Sequence, residues 1–140
     1  MSEPIWISLE LASAVHERQL AEHGGPEGIR DQGMLESALG RAQQRFAYCT
    51  PAPDLPALAA DYAFGIARNH PFVDGNKRTA AVLCELFLEL NGYRLVAEDA
   101  DLYPIFMALA AGEIGEDELA DWLRSDSRPE RVSEDGASYA

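Results

Sequence analysis

His70-Pro71-Phe72-Val73-Asp74-Gly75-Asn76-Lys77-Arg78-Thr79, with Asn69 just before it, decides how the rest of this chain is read. One loop gathers an imidazole, a carboxylate, a carboxamide, two cations and a glycine, and a long apolar-faced helical pattern follows at once. A simple turn needs one or two such groups. Gly75 lets backbone approach a ligand closely, and Asn76 can stand at a helix start. The first turn after it then offers free N–H groups and the positive end of the helix dipole to an anion. Lys77 and Arg78 add mobile positive charge at the same place. The plainer alternative is a capped loop-to-helix junction with solvated charges. The anion site is preferred because each residue type has a part in handling phosphate.

Downstream, Ala80, Leu83, Leu86, Phe87 and Leu90 mark one face of a helix over 76–91, and Val82 and Leu88 widen that face. The pattern predicts a central, mostly buried helix stopped by Asn91-Gly92. Upstream, Leu55, Leu58, Ala59, Tyr62, Ala63, Ile66 and Ala67 predict a helix whose alanines let a neighbour approach. His70 precedes a proline and belongs on non-helical backbone. Phe72, the large apolar group of the loop, is expected to plug into the core and fix the loop's path.

Further out, Ser8 caps a helix that runs to about residue 22, and Leu35, Ala38, Leu39, Ala42 and Phe46 mark another over 31–48. His16 reads as a satisfied or surface histidine, and His23 to Gly28 as a connector. Pro51, Pro53 and Pro56 prevent regular helix across 46–56, which reads as a loop or an arm over a neighbouring site. Tyr93-Arg94-Leu95-Val96 is β-prone. Leu102, Ile105, Phe106 and Leu109 predict a helix with Pro104 in its first turn, and Glu116 to Leu123 a last one. The domain is expected to span 1–124, followed by an aperiodic, disordered or loosely attached tail over 125–140.

A chain of 140 residues with 47% hydrophobic and 25% charged residues suits one soluble domain. Its formal net charge of −13 argues against broad nucleic-acid binding and leaves room for a local basic pocket. An acidic shell also suits a partner that brings positive charge. Cys49 and Cys84 have no metal-type spacing, and Cys84 falls in an apolar helical pattern. The start lacks a signal-like n-region and the apolar run 102–112 is too short to span a bilayer, so a cytoplasmic protein without a membrane role is expected.

The stretch from His70 to Arg78 resembles the signature of the Fic-fold superfamily, H-x-F-x-[D/E]-x-N-[G/K]-R, and in particular its death-on-curing (Doc) toxin branch. Lys77 stands where the AMP-transferases usually have glycine, and Thr79-Ala80 continue the Doc pattern. The likeness extends to Gly24-Gly25, Ala38 to Tyr48, Asn91-Gly92 and Ala111 to Ile114, covering roughly 5–124. It implies an all-α Fic fold of about six helices with a small β flap, 46–56 being the region that would align a target backbone. It also implies transfer of a phosphate-containing group from ATP to a protein hydroxyl. In that reading His70 is the general base and Asp74 the Mg²⁺ ligand. Gly75, Asn76, Lys77 and Arg78 hold phosphate oxygens, and Lys77 and Arg78 also neutralise developing charge.

Lys77 favours γ-phosphoryl transfer. Gly75 is an AMP-transferase trait, since the Doc pattern has alanine there, so adenylylation is the alternative. The resemblance further implies a toxin held by an antitoxin in trans, because the self-inhibitory [S/T]-x-x-x-E-[G/N] pattern is missing: at Glu27-Gly28, the nearest match, His23 takes the hydroxyl's place. Elongation factor Tu, the target of the best-known relative, is the host substrate it brings to mind, with inhibition of translation and growth. From another class, a non-catalytic antitoxin-binding module would keep the same motif for stability or for binding the antitoxin.

Overall fold

The computed structural model describes residues 3–130. Six helices follow in order: α1 (Leu9–His23), α2 (Gln32–Tyr48), α3 (Leu55–Asn69), α4 (Asn76–Leu90), α5 (Asp99–Ala110) and α6 (Glu116–Asp126). Strands β1 (Tyr93–Leu95) and β2 (Ser127–Pro129) pair antiparallel, with Arg94 opposite Arg128. The fold is all-α with a minor sheet, as expected.

Local chemistry sets most helix starts. Ser8, Asp31 and Asp54 each accept a hydrogen bond from the N–H three residues on, and Glu118 reaches back to the Gly115 N–H. Pro56 sits in the first turn of α3, where its missing N–H costs nothing.

The core is layered around α3 rather than α4 alone. Ten of the fifteen α3 residues are buried, against eight in α4, because α3 packs on α2, α4, α5 and α6. Small residues make this fit. A Cβ at Gly65 would stand 2.8 Å from the Cβ of Ala38, so α2 and α3 approach as closely as they do only because Gly65 has none. Tyr62, Phe87 and Trp6 pack their rings together, and Tyr62 accepts a hydrogen bond from the Ile7 N–H. Asn91 pins the N-terminal segment to the end of α4 through both Ile5 backbone groups.

A charged cluster bridges α2, α3 and α6. Asp61 on α3 is fully buried and accepts from Arg41 Nε at 3.2 Å and from Arg45 at 2.6 Å, while Glu116 accepts from the same Arg41 Nε at 3.3 Å. Two carboxyls thus crowd one N–H, and Asp61 Oδ2 finds no donor. Burial, followed by the hydrogen bond to Asp61, raises the Glu116 carboxyl to about 7.

The loop expected over 46–56 holds for a shorter stretch, since α2 continues through Tyr48 and α3 starts at Leu55, and the β-prone 93–96 supplies β1. Two expectations are corrected. Pro104 is the sixth residue of α5, not in its first turn, because that helix begins at Asp99. The boundary expected at 124 lies later: α6 runs to Asp126, and β2 is held by Val96 N–H to Asp126 O (2.7 Å) and Glu130 N–H to Gly92 O (2.6 Å). Backbone pairing against β1 orders a segment whose composition reads as tail. The rest of that expected tail, 131–140, lies outside the described residues.

Candidate active site

The loop between α3 and α4 is built as a rigid shelf. His70 ends α3 in the left-handed region (φ 50°, ψ 57°), the non-helical backbone that its place before Pro71 requires. Phe72 is 1% exposed and anchors the loop in the core, as expected. The Asn76 carboxamide then closes the loop on itself: its Oδ1 accepts from the Phe72 N–H and its Nδ2 donates to the Phe72 carbonyl, both at 3.0 Å. At 7% exposure its side chain is committed to the loop. Its side chain braces the loop, and Asn76 itself lines the cleft beside it.

Two neighbours brace the shelf. The connector between α1 and α2 runs antiparallel to the motif, with Val73 N–H bonded to Gly28 O and both Arg30 and Asp31 N–H to Pro71 O. Arg30 donates from Nε to His70 O and from a terminal nitrogen to Asn69 O, each at 2.7 Å, and so caps the end of α3. On the other side His16, 4% exposed, stacks on Phe72 with ring centres 3.8 Å apart. Its Nε2 lies 2.8 Å from the Asp74 carbonyl. A carbonyl only accepts, so Nε2 carries the proton. His16 is therefore a satisfied histidine, and it orients the residue that presents the Asp74 carboxylate.

Gly75 is the N-cap of α4, at φ 78° and ψ 17°. The first intrahelical bond runs from Thr79 N–H to Gly75 O, so the N–H groups of Asn76, Lys77 and Arg78 have no acceptor within the helix. The three residues line a cleft of about 250 Å³ together with His70, Val73, Asp74, Gly75 and Tyr103. The chain thus brings His70, Asp74, Lys77 and Arg78 around one anion-attracting helix end. The plainer junction reading leaves that convergence unexplained. His70, Asp74 and Arg78 are exposed and Lys77 is half-buried.

The Asp74 carboxylate lies against Gly25: a Cβ added there would clash with Asp74 Oδ2. Only glycine, at φ 121°, leaves that carboxylate its place. No cluster of three or more His, Cys, Asp or Glu groups stands ready for a metal among the described residues. One carboxylate is nonetheless what Mg²⁺ takes when phosphate oxygens and water complete its shell. The residues present fit that ion.

Four contributors lay outside the sequence reading of the site. Gly25 carried a signal, as one of two adjacent glycines in the connector. His16, Arg30 and Tyr103 carried none, because each meets the motif through the fold from at least 25 residues away.

The N-terminus of α4 thus gathers an imidazole, a carboxylate and two cations around one cleft. Residues 6–88 match the Fic/DOC family, and the chain belongs to that family. It is 39% identical over 118 residues to "Protein kinase doc" of Escherichia phage P1, covering 84% of this chain and 92% of that protein. It is also 41% identical over 75 residues to "Toxin Doc" of Mycolicibacterium smegmatis, covering 54% of this chain and 58% of that one. Among the described residues, no helix is long and apolar enough to cross a membrane.

Proposed function

We propose that this chain is a Doc-like toxin that transfers the γ-phosphoryl group of ATP to a hydroxyl of a host protein, arresting translation and growth. The convergence of His70, Asp74, Lys77 and Arg78 on the free N–H groups of α4 carries the reading. The kinase and toxin names of the two relatives support it. His70 takes the proton of the acceptor hydroxyl as its oxygen attacks the γ-phosphorus and the bond to the ADP bridging oxygen breaks. The N–H groups of 76–78 and the Lys77 ammonium hold the phosphate oxygens, and Arg78 balances charge gathering on the leaving oxygen. Asp74 would hold Mg²⁺, which would supply positive charge to neutralise the phosphate oxygens.

Lys77 supports phosphoryl transfer, since the resemblance implies that glycine at this place is what admits the diphosphate in the AMP-transferases. Gly75, with its left-handed backbone, supports the adenylyl alternative. Intact-mass analysis of elongation factor Tu and of lysate proteins, after incubation with the chain and Mg-ATP, separates the two. The expected adduct is one phosphoryl group, lost by a factor of about 10² or more in His70→Ala, and abolished in Asp74→Ala. An adenylyl adduct in the parent would replace the reading with its alternative. Unchanged toxicity and labelling in His70→Ala would leave a binding module. The toxin relatives also support an antitoxin acting in trans. Co-expression with the neighbouring small gene should restore growth, and a freely tolerated active chain would contradict it.

A further inference from the structure

Of the eight residues around the motif cleft, seven come from 70–78 and the eighth, Tyr103, comes from α5. Tyr103 is 38% exposed, and the centre of its ring lies 5.8 Å from the guanidinium carbon of Arg78. Arg78 and Tyr103 also line the adjoining cleft of about 310 Å³ between α1, α4 and α5, together with Gln19, His23, Val82 and Leu102. The pair therefore forms the partition between the two clefts.

Arg78, like Arg68 over Phe64, rests against a ring face, whereas four other arginines are held by oxygen acceptors. Arg30 donates to backbone carbonyls, and Arg41, Arg45 and Arg124 donate to carboxylates. Those acceptors fix a guanidinium by occupying its N–H groups. An aromatic face attracts the cation through its quadrupole and leaves the N–H edge free for an incoming anion. A long arginine side chain otherwise loses rotamer freedom when it engages a phosphate, and ordering it beforehand reduces that loss. Pro104, next in sequence, has a locked φ and stiffens the backbone that carries the ring.

We propose that Tyr103 is a positioning residue for Arg78, holding its guanidinium across the cleft mouth with the donor edge turned to the anion. The inference rests on the phosphate-transfer reading only for its use in catalysis; the ordering of Arg78 is a property of the free protein. The test compares the parent, Tyr103→Ala and Tyr103→Phe, each also with Arg78→Ala. Nitrogen-15 relaxation of the Arg78 Nε–H in the free protein should show an ordered side chain in the parent and in Tyr103→Phe, and a mobile one in Tyr103→Ala. Inorganic pyrophosphate, titrated calorimetrically, should bind about two- to five-fold more weakly to Tyr103→Ala. It should bind as in the parent to Tyr103→Phe, and Tyr103→Ala should cost nothing further once Arg78 is alanine.

Equal Arg78 mobility in all three proteins overturns the proposal. So does an undiminished Tyr103→Ala loss in the Arg78→Ala background, which would mark a merely structural ring. If the parent orders Arg78 and binds pyrophosphate but moves neither phosphoryl nor adenylyl groups from ATP to lysate proteins, the transfer reading fails. The positioning role then stands.

Discussion

The motif divides its labour residue by residue in a way that spacing alone does not show. Gly75 supplies conformation: its φ of 78° is one an L side chain adopts at a cost of roughly 1–2 kcal/mol. Space is not the obstacle, since the nearest atoms to an added Cβ, on Leu20 and His16, lie 3.5 and 3.7 Å away. Gly75→Ala should therefore fold and lose stability by about that amount in urea, with m unchanged. A midpoint equal to the parent's would show that the N-cap is not left-handed in solution. Asn76 supplies closure, through two hydrogen bonds to Phe72. Asn76→Ala strands a buried N–H and carbonyl in the loop and should cost about 2 kcal/mol, within the ~1–3 expected for orphaned groups. Its pyrophosphate affinity should fall as well, because the shelf beneath the α4 N–H groups loosens. Lost affinity without lost stability would return the Asn76 side chain to the ligand.

At the scale of elements, the helices were legible because periodicity and caps agree: Ser8, Asp31 and Asp54 are each a capping type just ahead of an apolar stripe, and each accepts the bond expected of it. Phe72 was legible as the one large apolar group in a polar loop. Two things were not. Pairing of 127–129 with β1 depends on where α6 ends relative to Gly92, a tertiary fact that a Ser/Arg/Pro sequence does not carry. The end of α3 was legible from His70-Pro71, but its cap was not, since the cation that provides it is Arg30, some forty residues away. Those two charge-assisted bonds fix the carbonyls of Asn69 and His70, and with them the direction in which His70 leaves the helix. Arg30→Ala should lower stability by about 1–2 kcal/mol. It should also slow transfer several-fold with the KM for ATP little changed, because the base is displaced and the phosphate shelf is not. A change in KM alone would place Arg30 on the nucleotide instead.

The whole molecule is strongly acidic, yet at the junction of α2, α3 and α6 it buries two carboxyls beside two arginines. Arg41 pulls the Glu116 carboxyl down; burial and the neighbouring Asp61 outweigh it and raise the group from 4.5 to about 7. The protonated form also accounts for the short supply of donors around Asp61, since a carboxylic acid brings one more. The consequence for folding has a definite sign. Between pH 4.5 and about 7 the folded chain keeps a proton that the unfolded chain has released, so this group's contribution to stability falls as pH rises through that window and levels off above it. Glu116→Gln keeps the shape of the protonated acid and a donor for Asp61, but it cannot ionise. Its urea midpoint should match the parent's near pH 4 and exceed it at pH 8, with the two curves parting between pH 4.5 and about 7. The opposite order at pH 8, with the glutamine variant weaker than the parent, would mean that an ionised Glu116 is what the two arginines require. The α6 N-terminus would then be held by a full ion-pair network at every pH where the chain is folded.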